Sequence, residues 1–298
     1  MRSRLLAGLV ATLLSAPAAA FTVFACEPEW AALTRVLLPQ ARVHVATHAG
    51  QDPHHIEARP ALIAQLRSAD LAVCTGASLE AGWLPVLQQR AGKAREQDVF
   101  FASDHVVLLD PRAGAIGTPW SGDVHAEGNP HLHADPRNWL VVVQMLAERL
   151  QQDLPAQKTL IETRRVAFEK QLTARIADWE RRAAPLRGRT VAAQHSTFGY
   201  LWHWLGIKPV ADLEPKPGMA PTPGHLQGLL NPLKGQPPMA VVVASYQDPR
   251  PGRWLSGQLG GQVPLLVLPA TVAEDADGEA LLRWVDGLLA SLLQTRPR

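Results

Sequence analysis

The residues best equipped for chemistry in this 298-residue chain are its 11 histidines, which are unevenly placed. His54 and His55 stand in the run Asp52-Pro53-His54-His55-Ile56. His125, His131 and His133 stand in the stretch from His125 to Pro136, with Glu127 and Asp135 among them. His195 directly follows the apolar run 190–193 and Gln194. Imidazole is a natural ligand for borderline divalent metal ions. A neighbouring proline restricts the backbone and helps preorganise such a ligand. Each place also has an ordinary reading. Pro53-His54-His55 fits a solvated loop, and a lone histidine after a strand fits a structural residue. His44, His48, His105, His203 and His225 read as surface or structural. A metal site requires a fold that brings the three places together.

The surrounding pattern supplies such a fold. Run 21–26 reads as a buried strand, 43–46 and 71–74 as further strands, and 29–38, 60–66 and 79–89 as helices, with Pro60 well placed at a first helical position. Short apolar runs at 99–101 and 106–109 belong near a lobe edge. Asp135-Pro136 marks a helix start, the first residue as N-cap and the second in the first turn. From 154 to 184 a charged pattern carries Phe168, Leu172, Ile176 and Trp179 on one helical face. Such a helix is roughly 40 Å long at 1.5 Å per residue, the length of a strut between lobes. Strands at 190–193, 240–244 and 264–268, an extended run at 209–213, and helices at 198–205, 221–230, 253–258 and 279–293 repeat the alternation. Alternating strands and helices imply α/β lobes with parallel sheets, whose ligands bind beyond the C-terminal strand ends. The three histidine places fall on those ends.

Composition bounds the rest. With 47% hydrophobic and 19% charged residues, the chain is globular, and at about 150 residues per domain it makes two lobes. A formal net charge of +2, and tryptophans not interleaved with a basic patch, argue against nucleic acid. Arg2 and Arg4, the apolar stretch 5–14 and Ala18-Ala19-Ala20 have the layout of a cleavable signal peptide over residues 1–20. The expected divisions are then an N-terminal lobe over 21–153, a linking helix over 154–184 and a C-terminal lobe over 185–298. Cys26 and Cys74, the only cysteines, either pair in an exported protein or remain buried thiols. No phosphate loop, nucleophile elbow or H-E-x-x-H motif is present.

Several segments together resemble the zinc/manganese substrate-binding proteins of bacterial ABC transporters, over nearly the whole mature chain. They are Asp52-Pro53-His54 with Pro60; Ser68 to Gly76 with Leu79-Glu80; Gly128-Asn129-Pro130-His131-Leu132-His133-Ala134-Asp135-Pro136; His195-Ser196-Thr197-Phe198-Gly199-Tyr200; and Leu213 to Gly218. The resemblance implies two α/β lobes joined by one long rigid helix, with the metal in the cleft. His54 and His131 would be ligands from the first lobe and His195 from the second. His55 and His133 would be neighbours. It also implies a periplasmic, monomeric, non-enzymatic protein that passes its ion to an ABC permease and ATPase. Manganese-type members carry an aspartate in a D-S-I segment, where this chain has Ala270-Thr271-Val272. Glu274, Asp275, Asp277 or water are the candidates for the fourth position.

Three neutral imidazoles suit zinc better than manganese, which prefers oxygen. The expected ligand is therefore Zn2+ rather than Mn2+ or iron. An open fourth position would also suit a secreted zinc hydrolase, with Glu80 the nearest candidate base. A surface adhesion module on the same fold is the remaining alternative.

Overall fold

The computed structural model describes residues 20–93, 95–110 and 125–295. Residues 1–19 of the expected signal peptide lie outside them. The first lobe contains β1 (Thr22–Ala25), α1 (Pro28–Leu37), β2 (Arg42–Val45), α2 (Pro60–Ser68), β3 (Leu71–Cys74), α3 (Leu84–Ala91) and β4 (Val99–Phe101). Helix α4 (Pro136–Asp153) leads into the long helix α5 (Lys158–Ala183). The second lobe contains β5 (Thr190–Ala193), α6 (Gly199–Leu205), β6 (Lys208–Asp212), α7 (Pro223–Gly235), β7 (Ala240–Ala244), α8 (Arg250–Gln258), β8 (Leu265–Leu268) and α9 (Gly278–Leu293). The sheets run β2-β1-β3-β4 and β6-β5-β7-β8, with every pairing parallel. Both sheets thus share one strand order, although the sequence carries no repeat. The expected architecture, two parallel-sheet α/β lobes and a single long connecting helix, is the observed one.

Burial explains why these runs become strands. β3 and β7 are buried at every residue, as a parallel strand covered by helices on both faces must be. Packing also explains the strut. Ile161, Phe168, Leu172, Ile176 and Trp179 form the buried face of α5. That face joins α1 of the first lobe and α9 of the second in one continuous apolar core. Asp286 on α9 fastens the contact, accepting from Trp179 Nε1 (3.0 Å) and Arg182 Nη1 (2.8 Å) and pairing with Arg175. Where α9 begins, Gly278 leaves no room for a side chain: a Cβ there would stand 2.5 Å from Val36 Cγ2. The lobes therefore rest directly on each other as well as on the strut.

The two largest departures from the expected element boundaries have identifiable reasons. The helix expected over 79–89 begins only at Leu84. Glu80 instead turns its carboxylate back onto the N–H groups of Thr75 (2.7 Å) and Gly76 (3.1 Å), and side-chain bonds of that kind compete with a helical turn. The helix expected over 221–230 runs from Pro223 to Gly235, its start fixed by the Thr222 hydroxyl, which accepts from His225 N. Asp135 caps α4 as expected, accepting from Arg137 N.

Cys26 and Cys74, at the C-terminal ends of adjacent strands β1 and β3, are joined in a disulfide, with Cα atoms 4.8 Å apart and a sequence separation of 48. Closing a loop of that length restricts the unfolded chain. Substituting both cysteines by serine is expected to lower the free energy of unfolding by about 2–4 kcal/mol. Denaturant unfolding with and without reductant measures this; coincident curves would contradict it.

Candidate metal centre

Each histidine ligand candidate is placed by a different device. His54 sits in the loop between β2 and α2. Its loop is held from behind by Trp83, whose indole N–H donates to Pro53 O at 2.9 Å. Asp52 accepts from both the His54 backbone N–H (3.0 Å) and Nδ1 (2.7 Å). His131 ends the loop that leads into α4. Its N–H donates to Asn129 Oδ1 (2.9 Å), and the Asn129 amide donates across the lobe boundary to Ser196 O (3.0 Å). His195 lies just past β5 with φ of 63°, a left-handed conformation that carries a cost for a side chain with a Cβ. Asp212, at the end of the adjacent strand β6, holds that turn by accepting from His195 N (3.1 Å) and Glu214 N (2.9 Å). Glu214 in turn accepts from His195 Nδ1 (3.0 Å) and Gly218 N (2.9 Å). Both lobes thus contribute from the C-terminal edges of their sheets, where crossovers diverge to either side.

The three side chains converge. His54, His131 and His195 are each no more than 6% exposed. One ring nitrogen from each lies within 4.8 Å of the other two. His131 Nε2 and His195 Nε2 are 3.2 Å apart, and all three ring pairs have centroids 5.3 Å apart at steep interplanar angles. Carboxylates on Nδ1 of His54 and His195 make those nitrogens the N–H, which turns the Nε2 lone pairs inward. This is the outer-shell arrangement typical of metal-binding imidazoles. Burial, reinforced by the surrounding imidazoles, holds His131 well below the usual histidine pKa, so its ring is neutral at neutral pH and one of its nitrogens keeps a lone pair. Burial works to raise the Asp52 carboxyl, but its bonds to His54 outweigh that and keep it below the usual range.

Of the other residues singled out from the sequence, His125 lies against His54, and the rest do not join the three histidines. His55 is exposed. His133 spans the lobes instead, with Nε2 3.0 Å from Ala270 O and Nδ1 3.2 Å from Glu29 Oε1. Glu274, Asp275 and Asp277 are exposed, and Asp277 caps α9, so none occupies the place of the aspartate missing at Ala270. Glu80 is buried inside the first lobe. With Glu27 it shares the Thr75 N–H, and burial pushes its pKa up to about 7. It braces a loop and is not aimed at the histidines. The sulfurs of Cys26 and Cys74, although near Glu80, are bound to each other. The sequence reading did not anticipate Asn129 as the bond between the two histidine loops, or Glu214 as the partner of His195. Only the i, i+2 spacing of Asp52 and His54 hinted at a local carboxylate.

Known proteins resemble this chain over most of its length. Residues 23–295 match the family described as zinc-uptake complex component A, periplasmic. The chain belongs to that family. Its members bind metal for transport and are not enzymes. The zinc-binding lipoprotein AdcA of Streptococcus pneumoniae is 24% identical over 259 residues, 86% of this chain and 51% of that protein. The chain therefore spans about half the length of that relative. The iron ABC transporter substrate-binding lipoprotein MtsA of Streptococcus pyogenes is 25% identical, over 81% of this chain and 78% of its own. Among solved structures, the periplasmic zinc-binding protein TroA of Treponema pallidum superposes with a TM-score of 0.75 at 18% identity, over 94% of this chain and all of the other, and so shares the fold. Relatives of this kind are exported, and so is this chain.

The buried groups make opposite contributions to stability with pH. An unfolded histidine takes up a proton near pH 6.5 that folded His131 refuses, so acidification through that value removes stability. Folded Glu80 keeps a proton that the unfolded chain loses above about pH 4.5, so stability also falls as pH rises from about 4.5 towards 7. In denaturant unfolding of the metal-free protein, His131→Ala is expected to lessen the acid-side loss. Glu80→Gln is expected to lessen the loss towards pH 7. Profiles parallel to the unmodified protein would refute both assignments.

Proposed function

We propose that the protein is a periplasmic solute-binding protein that captures a zinc ion between its lobes on Nε2 of His54, His131 and His195 and delivers it to an ABC permease and its ATPase. One observation carries the reading: three buried imidazoles, from both lobes, with nitrogens within 4.8 Å of one another and two of them oriented by carboxylates. Neutral nitrogens in that number suit zinc, whereas manganese prefers oxygen. The zinc named for AdcA supports the same choice, and the iron named for MtsA is the alternative cargo. Residues 1–20 are read as a cleavable signal peptide. Cys26 is tied to Cys74, which supports release into the periplasm over anchoring through that thiol. The mature protein acts as a monomer, since one chain supplies every ligand in the proposed set.

Titration of the metal-free mature protein against a competing chelator tests this. The expected result is one zinc per chain, bound far more tightly than manganese. Loss of even an outer-shell partner typically costs about 10–100-fold in affinity, so His131→Ala should cost more than that. Affinity should fall from pH 7 to pH 5 as protons compete for the same nitrogens. Preference for manganese, or undiminished zinc binding by His131→Ala, would refute the assignment.

A further inference from the structure

His125 approaches the cluster at His54; unlike the other three, its nitrogens are not within 4.8 Å of them all, so it would have to swing inward to join them on one ion. Its Nε2 lies 3.2 Å from His54 Nε2, with ring centroids 5.2 Å apart. That spacing repeats the one between His131 and His195, 3.2 Å and 5.3 Å. Two nitrogens on one tetrahedral zinc, each about 2.0–2.1 Å from it, are about 3.3–3.4 Å apart. His125 is only 9% exposed, and with His195 it lines a cavity of about 60 Å³ shared by both lobes. The bond from His54 Nδ1 to Asp52 leaves a lone pair on His54 Nε2, facing His125 Nε2. Two imidazole nitrogens at that distance need a proton or a cation between them. The metal-free protein supplies the proton from one ring, and a bound ion takes its place.

We propose that His125 is the fourth protein ligand, so that the ion is held by imidazole nitrogens of His54, His125, His131 and His195 with no water on it. This rests on the zinc-binding reading above and completes it. The coordination position that Ala270 cannot fill with a carboxylate is filled from the opposite side by a fourth neutral nitrogen. A closed tetrahedral shell is well matched to zinc. It excludes the oxygens that manganese prefers. It also leaves no open position at which a zinc-bound water could be activated for hydrolysis.

Long-range proton–nitrogen NMR of the zinc-loaded, histidine-labelled protein counts metal-bound imidazoles directly. Four zinc-bound Nε2 signals are expected in the unmodified protein and three in His125→Ala. Zinc affinity of that variant, by chelator competition, should be at least about tenfold weaker, and His125→Gln should behave alike. Should either variant fail to fold, the count in the unmodified protein decides by itself. Three bound imidazoles there, or unchanged zinc affinity in folded His125→Ala, would overturn the fourth ligand and leave the three-histidine site standing. Failure of the unmodified protein to bind zinc at all would overturn both.

Discussion

Four imidazoles lie where water has little access, His54, His131 and His195 with nitrogens within 4.8 Å of one another and His125 against His54. His54, His125, His131 and His195 are all nine-tenths or more buried. Protonating His131 would bury a cation, and that burial, reinforced by the imidazoles around it, holds its pKa well below the usual histidine value. Imidazoles this close set nitrogen against nitrogen, as between His131 and His195 and between His54 and His125. A divalent ion resolves that conflict, accepting several lone pairs at once. The cluster is costly to assemble empty and favourable to fill.

The rest of the molecule holds these rings at that spacing. Each sheet delivers its loops to one edge, and the two edges face each other across the lobe boundary. Asn129 bonds the His131 loop to the His195 loop. Tyr200 of the second lobe accepts from Leu109 N and donates to Asn129 O in the first, its hydroxyl kept neutral by burial with a pKa pushed up to about 12. On the other flank, His133 reaches Ala270, and Glu29 accepts from Thr271. Further out, α1, α5 and α9 share one apolar core. The geometry of the site is therefore a property of the lobe interface, not of either lobe alone.

Much of this was legible in the sequence because it rests on local pattern. Alternating apolar runs gave the two parallel sheets, and the spacing of Phe168, Leu172, Ile176 and Trp179 gave the buried face of the strut. Motif positions singled out His54, His131 and His195. Less accessible were features set by tertiary contact. The delayed start of α3 depends on Glu80 folding back on Thr75 and Gly76. The pairing of Cys26 with Cys74 depends on β1 lying beside β3. His125, six residues from His131, carries no spacing signal for a ligand; its meeting with His54 depends on how its loop returns to the cleft. The acidic residues near Ala270 looked able to replace a missing carboxylate, but the start of α9 directs them to solvent.

In the proposed function, the lobes hold one zinc ion among buried imidazoles. The most direct measurement is diffraction from crystals of the zinc-loaded protein on both sides of the zinc absorption edge. A single anomalous peak is expected between the lobes, about 2.0–2.1 Å from Nε2 of His54, His131 and His195. An anomalous peak elsewhere on the molecule, with the space among these rings empty, would contradict it.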